Sequence, residues 1–176
     1  KPLLYYVIKA SLDAGFRTVV STEDSEIKKV CQSLFQNIIV IDRPEELARD
    51  DSSTEDVIAH FLQNDSKVNN IILLQATSPL TSSNDIKEAI NLYKKNTKKS
   101  LLSVTQSHQF IWDKSGRPNN YDPMNRPRRQ DWDGYFIENG AIYIFSRSQF
   151  LKNKSRCSKE CTLYKMDTKS LFEIDD

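Results

Sequence analysis

Apolar residues along this chain alternate between helical spacing and short uninterrupted runs. Leu3, Leu4, Val7, Ile8 and Leu12 share one face of a helix that Gly15 stops. Thr18 to Ser21 then predicts a short buried strand, and in the polar turn after it Ser25 or Asp24 caps a helix carrying Ile27, Val30, Cys31 and Leu34. Ile38 to Ile41 predicts another buried strand, closed by Asp42-Arg43-Pro44. Val57, Ile58, Phe61 and Leu62 mark the next helix. Ile71 to Leu74 is too short an apolar run for a buried helix and predicts a central strand covered on both faces.

The later pattern repeats this alternation. Ile86, Ile90 and Tyr93 lie on one face of a helix for which Ser83 or Asn84 is the expected cap. Leu101 to Thr105 and Ala141 to Phe145 predict strands, with a short helix over Ser148 to Lys152. Leu163 to Met166 and Leu171 to Ile174 are expected to finish the sheet. Strands alternating with helices imply an α/β fold, doubly wound around a mostly parallel sheet, in three αβα layers of Rossmann-like type. Ser107 to Gly140 breaks the pattern. Three prolines, three glycines and many polar residues make it too long for a plain connection, which points to a functional loop, an extension toward a partner subunit, or disorder. Phe110, Trp112, Tyr121 and Trp132 make it more aromatic than a solvated loop needs, and self-association is the expectation.

Composition narrows the functional classes. Charged residues are 28% of the chain but leave a net charge of only +1, so nothing global argues for nucleic acid or a membrane surface. No stretch approaches a membrane-spanning length, and no signal-peptide core appears. An odd number of cysteines, Cys31, Cys157 and Cys161, suits reduced thiols better than a disulfide framework. His60 and His108 lie too far from Cys157 and Cys161 in sequence to suggest a zinc site.

Four places carry candidate chemistry. Gln75, Thr77 and Ser78 follow the apolar run at a strand's carboxyl end, where open α/β sheets bind ligands; the same residues would also serve as an ordinary polar connection. Arg126, Arg128 and Arg129 place three guanidinium groups within four positions, followed by Asp131 and Asp133. Guanidinium forks match carboxylate or phosphate, although a self-neutralised surface cluster or a basic import patch would read alike. Glu173 and Asp175, two apart on an expected strand, leave one face and could hold Mg2+, or simply form an acidic, solvated end. Asp50 to Thr54 offers hydroxyls near Arg43, suited to base or ribose contacts and equally to helix capping.

Taken together, VVSTEDSEI (19–27), RPEELARDDSST (43–54), LLQATSPL (73–80), SHQFIW (107–112), RPRRQDWDG (126–134), ENGAIYI (138–144) and FEIDD (172–176) resemble the cytidylyltransferases that activate nonulosonic acids, most closely the CMP-N-acetylneuraminate synthetases. The resemblance implies a nucleotide-diphospho-sugar-transferase-like fold and CMP transfer from CTP to the anomeric hydroxyl of a sialic acid, with Mg2+ and release of pyrophosphate. It places Arg43, Ser52 and Thr54 at the cytidine, Gln75 and Asn139 at the acceptor sugar, Arg128 and Arg129 in catalysis, and Glu173 with Asp175 at the metal, Asp175 also catalytic. It implies a homodimer or a dimer of dimers, with 107–140 as the dimerisation and sugar-pocket extension of a single domain over 1–176. It implies no nucleic-acid or membrane partner, and a cytoplasmic location, or a nuclear one in a vertebrate-type source. A Gly-rich phosphate loop with a first strand is expected ahead of Lys1, and a helix after Asp176. Two alternatives stand beside this: activation of a pseudaminic, legionaminic or 3-deoxy-manno-octulosonic acid, and a non-catalytic interaction module retaining the fold.

Overall fold

The computed structural model describes residues 1–172 and Ile174. Strands β1 (Thr18–Thr22) and β2 (Ile38–Asp42) pair in parallel as one two-stranded sheet. A second sheet contains β3 (Asn70–Leu74), β4 (Leu101–Ser107), β5 (Tyr135–Ser146) and β6 (Thr162–Lys165) in the order β3-β5-β4-β6. In it β5 runs antiparallel to both its neighbours, while β4 and β6 are parallel. Three of these four strands therefore point one way and β5 points back, so the α/β class and mostly parallel sheet hold with one reversed strand.

The helices are α1 (Leu4–Asp13), α2 (Ser25–Leu34), α3 (Thr54–Asn64), α4 (Ser83–Lys95) and α5 (Arg147–Asn153). Of the two expected caps, Asp24 and not Ser25 caps α2, accepting from Glu26 and Ile27 N–H. The cap of α4 lies one residue earlier than expected. Ser82 accepts from Asp85 N–H while the Asp85 carboxylate takes Ser82 N–H, a reciprocal box that neither Ser83 nor Asn84 could close. Ser146 and Gln149 form the same box at α5.

Two apolar clusters sandwich the four-stranded sheet. On one face Ile86, Ala89 and Tyr93 of α4 and Ala10 of α1 meet Leu101, Ile142 and Ile144. On the other, Ile58 and Leu62 of α3 and Phe150 of α5 meet Ile71, Tyr143 and Phe145. The expectation that 71–74 is covered on both faces as a central strand needs correction: β3 ends its sheet, and Ile72, Leu73 and Leu74 are only half-buried. The expected last strand over 171–174 is also corrected, because Thr168–Leu171 forms a 3-10 turn and neither Phe172 nor Ile174 is in a strand.

Between β4 and β5 the register slips. Leu102 faces Tyr143 but Val104 faces Glu138, so β5 carries extra residues around Asn139 and Gly140. Gly140 has φ 68°, a left-handed conformation suited to such a bulge. The irregular segment is shorter than 107–140, since β5 begins at Tyr135. Within it Phe110 packs on Tyr121 at 4.2 Å and on Trp132 at 5.7 Å, and the Arg126 guanidinium lies 4.2 Å from the Phe110 ring centroid. The Asp113 carboxylate accepts from Ser115 and Arg117, which lowers its pKa to about 2, the Ser115 hydroxyl contributing most.

Gly134 closes this segment at φ 72°, where an added Cβ would lie 2.1 Å from the Ser107 carbonyl oxygen. Gly134→Ala is expected to destabilise the protein by roughly 1–3 kcal/mol, combining left-handed strain with the backbone clash. Thermal denaturation of the two proteins checks this; an unchanged melting temperature would show that the loop shifts freely.

Candidate functional site

Parallel pairing brings the carboxyl ends of β1 and β2 to one edge. Arg43, the first residue past β2, donates its N–H to the Thr22 carbonyl at 3.2 Å and thus sits across both strand ends. Its side chain donates Nε to Glu23 Oε2 at 2.8 Å, and Nη2 bonds the same oxygen. The Glu23 pKa is pushed below the usual carboxylate range, first by its backbone hydrogen bond and then by Arg43. Arg43 and Thr54 line a cavity of about 600 Å³ together with Leu74 and Ala76, but Gln75, between these two, does not line it. Two separate loops and the end of β3 therefore converge there.

The other sequence candidates are placed differently. Ser52 donates its hydroxyl to the Glu46 carbonyl at 2.8 Å, a bond that shapes the loop leading into α3. Asn139 is 1% exposed: its carbonyl accepts from Ser103 at 2.6 Å, and its amide donates to Ser170 at 2.7 Å and to Met166 Sδ at 3.4 Å. Its hydrogen-bonding capacity is engaged within the protein, where it stitches the bulge of β5 to β4 and to the turn after β6. Arg128 and Arg129 are exposed on the 108–134 loop, Arg128 paired with Asp131 at 2.7 Å. The cavity beside Arg43 is not lined by either of them.

Glu173 and Asp175 lie outside the described residues. Ile174, between them, donates its N–H to the Thr77 carbonyl at 3.0 Å, beside the loop that follows β3. Among the described residues no group of three or more His, Cys, Asp or Glu side chains is arranged to hold a metal. No helix among them is long and apolar enough to cross a membrane.

One group was missed by pattern reading. Tyr143 stands opposite Leu73 in the pairing of β3 with β5. The Tyr143 hydroxyl donates to Glu138, and the Arg156 guanidinium lies 4.8 Å from its ring centroid while pairing with Glu55 at 3.4 Å. Burial first, then Glu138, raises the phenol pKa. Burial, with the neighbouring Cys161 second, pushes the Cys157 thiol up to about 12. Glu138 and Tyr143 differ by an odd number of positions, so only the bulge puts them on one side; strict alternation separates them. A Tyr within an otherwise apolar run was the available signal.

The sequence profile of the cytidylyltransferase family matches residues 1–175. This chain belongs to the cytidylyltransferase family. It is 39% identical over 156 residues to an N-acylneuraminate cytidylyltransferase of Oncorhynchus mykiss, covering 84% of this chain and 36% of that protein. It is 36% identical to N-acylneuraminate cytidylyltransferase A of Danio rerio, covering 99% and 42%, and 31% identical to an N-acylneuraminate cytidylyltransferase of Escherichia coli, covering 100% and 43%. The chain thus spans well under half the length of these relatives.

Among solved structures, the cytidylyltransferase chain superposes on 4-diphosphocytidyl-2C-methyl-D-erythritol synthase from Anaerococcus prevotii with a TM-score of 0.71 at 11% identity, covering 99% of this chain and 83% of that one. A CMP:2-keto-3-deoxy-manno-octonic acid synthetase complexed with CTP gives 0.63 at 16% identity, covering 87% and 67%. At such identities these likenesses establish the fold.

Asn139→Ala is expected to cost roughly 1–3 kcal/mol because it strands buried partners, seen as a lower melting temperature; a contact serving substrate alone would leave stability unchanged. Because the folded Glu23 pKa is depressed, its contribution is present above the unfolded carboxylate pKa and lost as pH falls through the lower folded value. Glu23→Gln should therefore flatten the fall in melting temperature between neutral pH and that acid window, and an identical pH profile would refute the coupling.

Proposed function

We propose that the protein transfers CMP from CTP to the anomeric hydroxyl of a sialic acid, releasing pyrophosphate. The observation that carries this reading is the convergence of Arg43 and Thr54 beside the carboxyl end of β3 in a chain of the cytidylyltransferase family. The relatives named as N-acylneuraminate cytidylyltransferases point to the acceptor class.

In this proposal Arg43, Ser52 and Thr54 surround the cytidine, Arg43 held ready by Glu23. Gln75, past β3, hydrogen-bonds the acceptor sugar with its amide. Asn139 acts one step removed: its bonds to Ser103 and Ser170 fix the bulge that turns Glu138 toward Tyr143. The reaction forms a bond between the sugar oxygen and the α-phosphorus as the bond to the departing pyrophosphate breaks. Arg128 and Arg129 would supply positive charge to the phosphates, since such transfers depend on positioning and charge neutralisation more than on covalent chemistry. Carboxylates suit Mg2+, a hard cation, and in this proposal Glu173 with Asp175 would hold it. When bound, the ion would reduce repulsion between the incoming oxygen and the triphosphate. A homodimer or dimer of dimers in which 107–140 reaches a second subunit belongs to the same proposal, supported by the half-exposed Trp112 and Phe136. So does a cytoplasmic setting, for which the free Cys31, Cys157 and Cys161 are suited.

The test is pyrophosphate release by the full-length protein, dependent on both CTP and N-acetylneuraminate. Arg129→Lys keeps the charge but loses the planar fork, and turnover is expected to fall on the order of tenfold to a hundredfold. Gln75→Ala should raise KM for the sugar more than for CTP. Release that requires CTP but no nonulosonic acid would reject the acceptor, and unchanged kinetics of the Arg129 variant would return that side chain to the solvated surface.

A further inference from the structure

The start of β3, the end of β5 and the last turn of α4 meet at one end of the four-stranded sheet. Asn70 pairs with Ser146, Arg147 donates its N–H to the Asn69 carbonyl at 2.8 Å, and Gln149 Nε2 donates to the Thr97 carbonyl at 3.2 Å. Segments 65–70, 93–99 and 146–154 therefore form one surface. It lies about 13 Å along β3 from Leu74, at the other end of the strand from Arg43 and Thr54. These segments carry eight lysines and arginines against one acid, Asp65, a local charge of +7 in a chain whose total is +1. The remainder is left at −6.

Most of the local charge is unpaired. Asp65 is taken by Arg17 at 2.6 Å and Lys99 by Glu160 at 2.5 Å. Among the described residues none of Lys67, Lys94, Lys95, Lys98, Lys152 and Lys154 forms an ion pair, and all six are exposed. Compensation of helix dipoles is too small to account for them: α3 and α4 end here, each bringing only about half a negative charge. Like charges gathered this closely repel one another, and a bound anion removes that cost.

At the centre of this surface lies a cleft of about 510 Å³, lined by Asn69, Asn70, Thr97, Arg147 and Ser148 among others and by no carboxylate of the described residues. Its polar groups are rich in donors. The Asn70 side-chain carbonyl accepts from the buried Tyr93 hydroxyl at 3.3 Å, which leaves its amide nitrogen to donate elsewhere. The Arg147 guanidinium donates to the Asp65 carbonyl at 2.9 Å, a bond that orients the fork without neutralising it. Lys94, Lys98 and Lys152 each adjoin a lining residue in sequence, Tyr93, Thr97 and Leu151. The occupant that suits such a cleft accepts many hydrogen bonds and carries several negative charges. Phosphoryl groups do both, each with about two charges and three acceptor oxygens.

We propose that this cleft binds a small anion built on a chain of phosphoryl groups, either an inorganic polyphosphate or the phosphate tail of a nucleotide. Arg147 and Asn70 would grip it, with Lys94, Lys98 and Lys152 around the rim. Its place at the far end of β3 makes it a second site, which does not rest on the reaction proposed above. A nucleic acid offers similar phosphates, but it spreads them along an extended backbone, whereas a cleft walled by three segments suits a compact ligand.

The experiment titrates inorganic tripolyphosphate, and separately ATP, into the protein by calorimetry at about 50 mM and about 200 mM salt without added divalent cation. Saturable binding that weakens at the higher salt is expected. Arg147→Ala should weaken it by roughly tenfold or more. Lys94→Gln combined with Lys98→Gln, at exposed positions that leave the fold intact, should weaken it by about threefold to tenfold, which keeps the test open if the Arg147 variant folds poorly. Equal affinity for the two probes would assign the site to the phosphoryl chain alone, and tighter binding of ATP to a nucleotide; either supports the site. No saturable binding up to about 1 mM at the lower salt would overturn the proposal. So would binding that survives these variants and is lost in Arg128→Gln with Arg129→Gln, which would place the anion on the 108–134 loop. A single-stranded DNA of about sixteen nucleotides that binds more tightly than ATP and responds to the same lysines would also overturn it, in favour of a nucleic-acid face.

Discussion

Every strand edge must place its backbone hydrogen bonds somewhere, and that demand organises this protein more than any side chain does. β5 meets it for two neighbours at once, running against β3 on one side and β4 on the other. Because it is paired on both edges, its residues 141–145 are buried and both apolar layers can close over them. Where the same demand goes unmet, between β1 and β3, side chains of strongly apolar type remain half-buried. The contrast explains why Ile72 to Leu74, which read as the middle of a sheet, are less enclosed than Ile142 to Phe145.

Much of the fold was legible because local rules decided it. Helical spacing located α1 to α4, and Asp24 was one of the two caps that the sequence offered for α2. Strand direction was not legible. An uninterrupted apolar run reads the same whether its neighbours are parallel or antiparallel, so the reversal of β5 left no mark in the pattern. The bulge around Asn139 was equally hidden, since alternation assumes an unbroken register.

The candidate site was legible where residue type and position agreed, and less so elsewhere. Arg43 and Thr54 are close in sequence to strand and helix ends, and the structure brings both to one cavity. Asn139 was placed at the acceptor sugar by the family resemblance alone. Its amide is instead consumed by Ser103, Ser170 and Met166, a distinction that composition cannot make. The arginine string divides in a similar way: Arg126 stacks on Phe110, Arg128 pairs with Asp131, and no ion pair of Arg129 occurs among the described residues.

The pairing of Arg43 with Glu23 also constrains how a nucleotide could be held. Nε and Nη2 both bond one carboxylate oxygen, so the guanidinium presents its remaining donors from a pair that is close to neutral overall. Such a group suits hydrogen bonding to the polar edge of a base, where orientation matters more than charge. A triphosphate needs net positive charge, which this pair does not provide. On the proposed reading the two tasks must therefore fall to different parts of the protein: base recognition to the braced Arg43 beside β2, and charge neutralisation to the exposed guanidinium groups of the 108–134 loop together with a cation. Arg129 meets that second requirement better than Arg126, whose guanidinium is held against aromatic rings. The division rests on which arginines already have partners, and their number in the sequence says nothing about it.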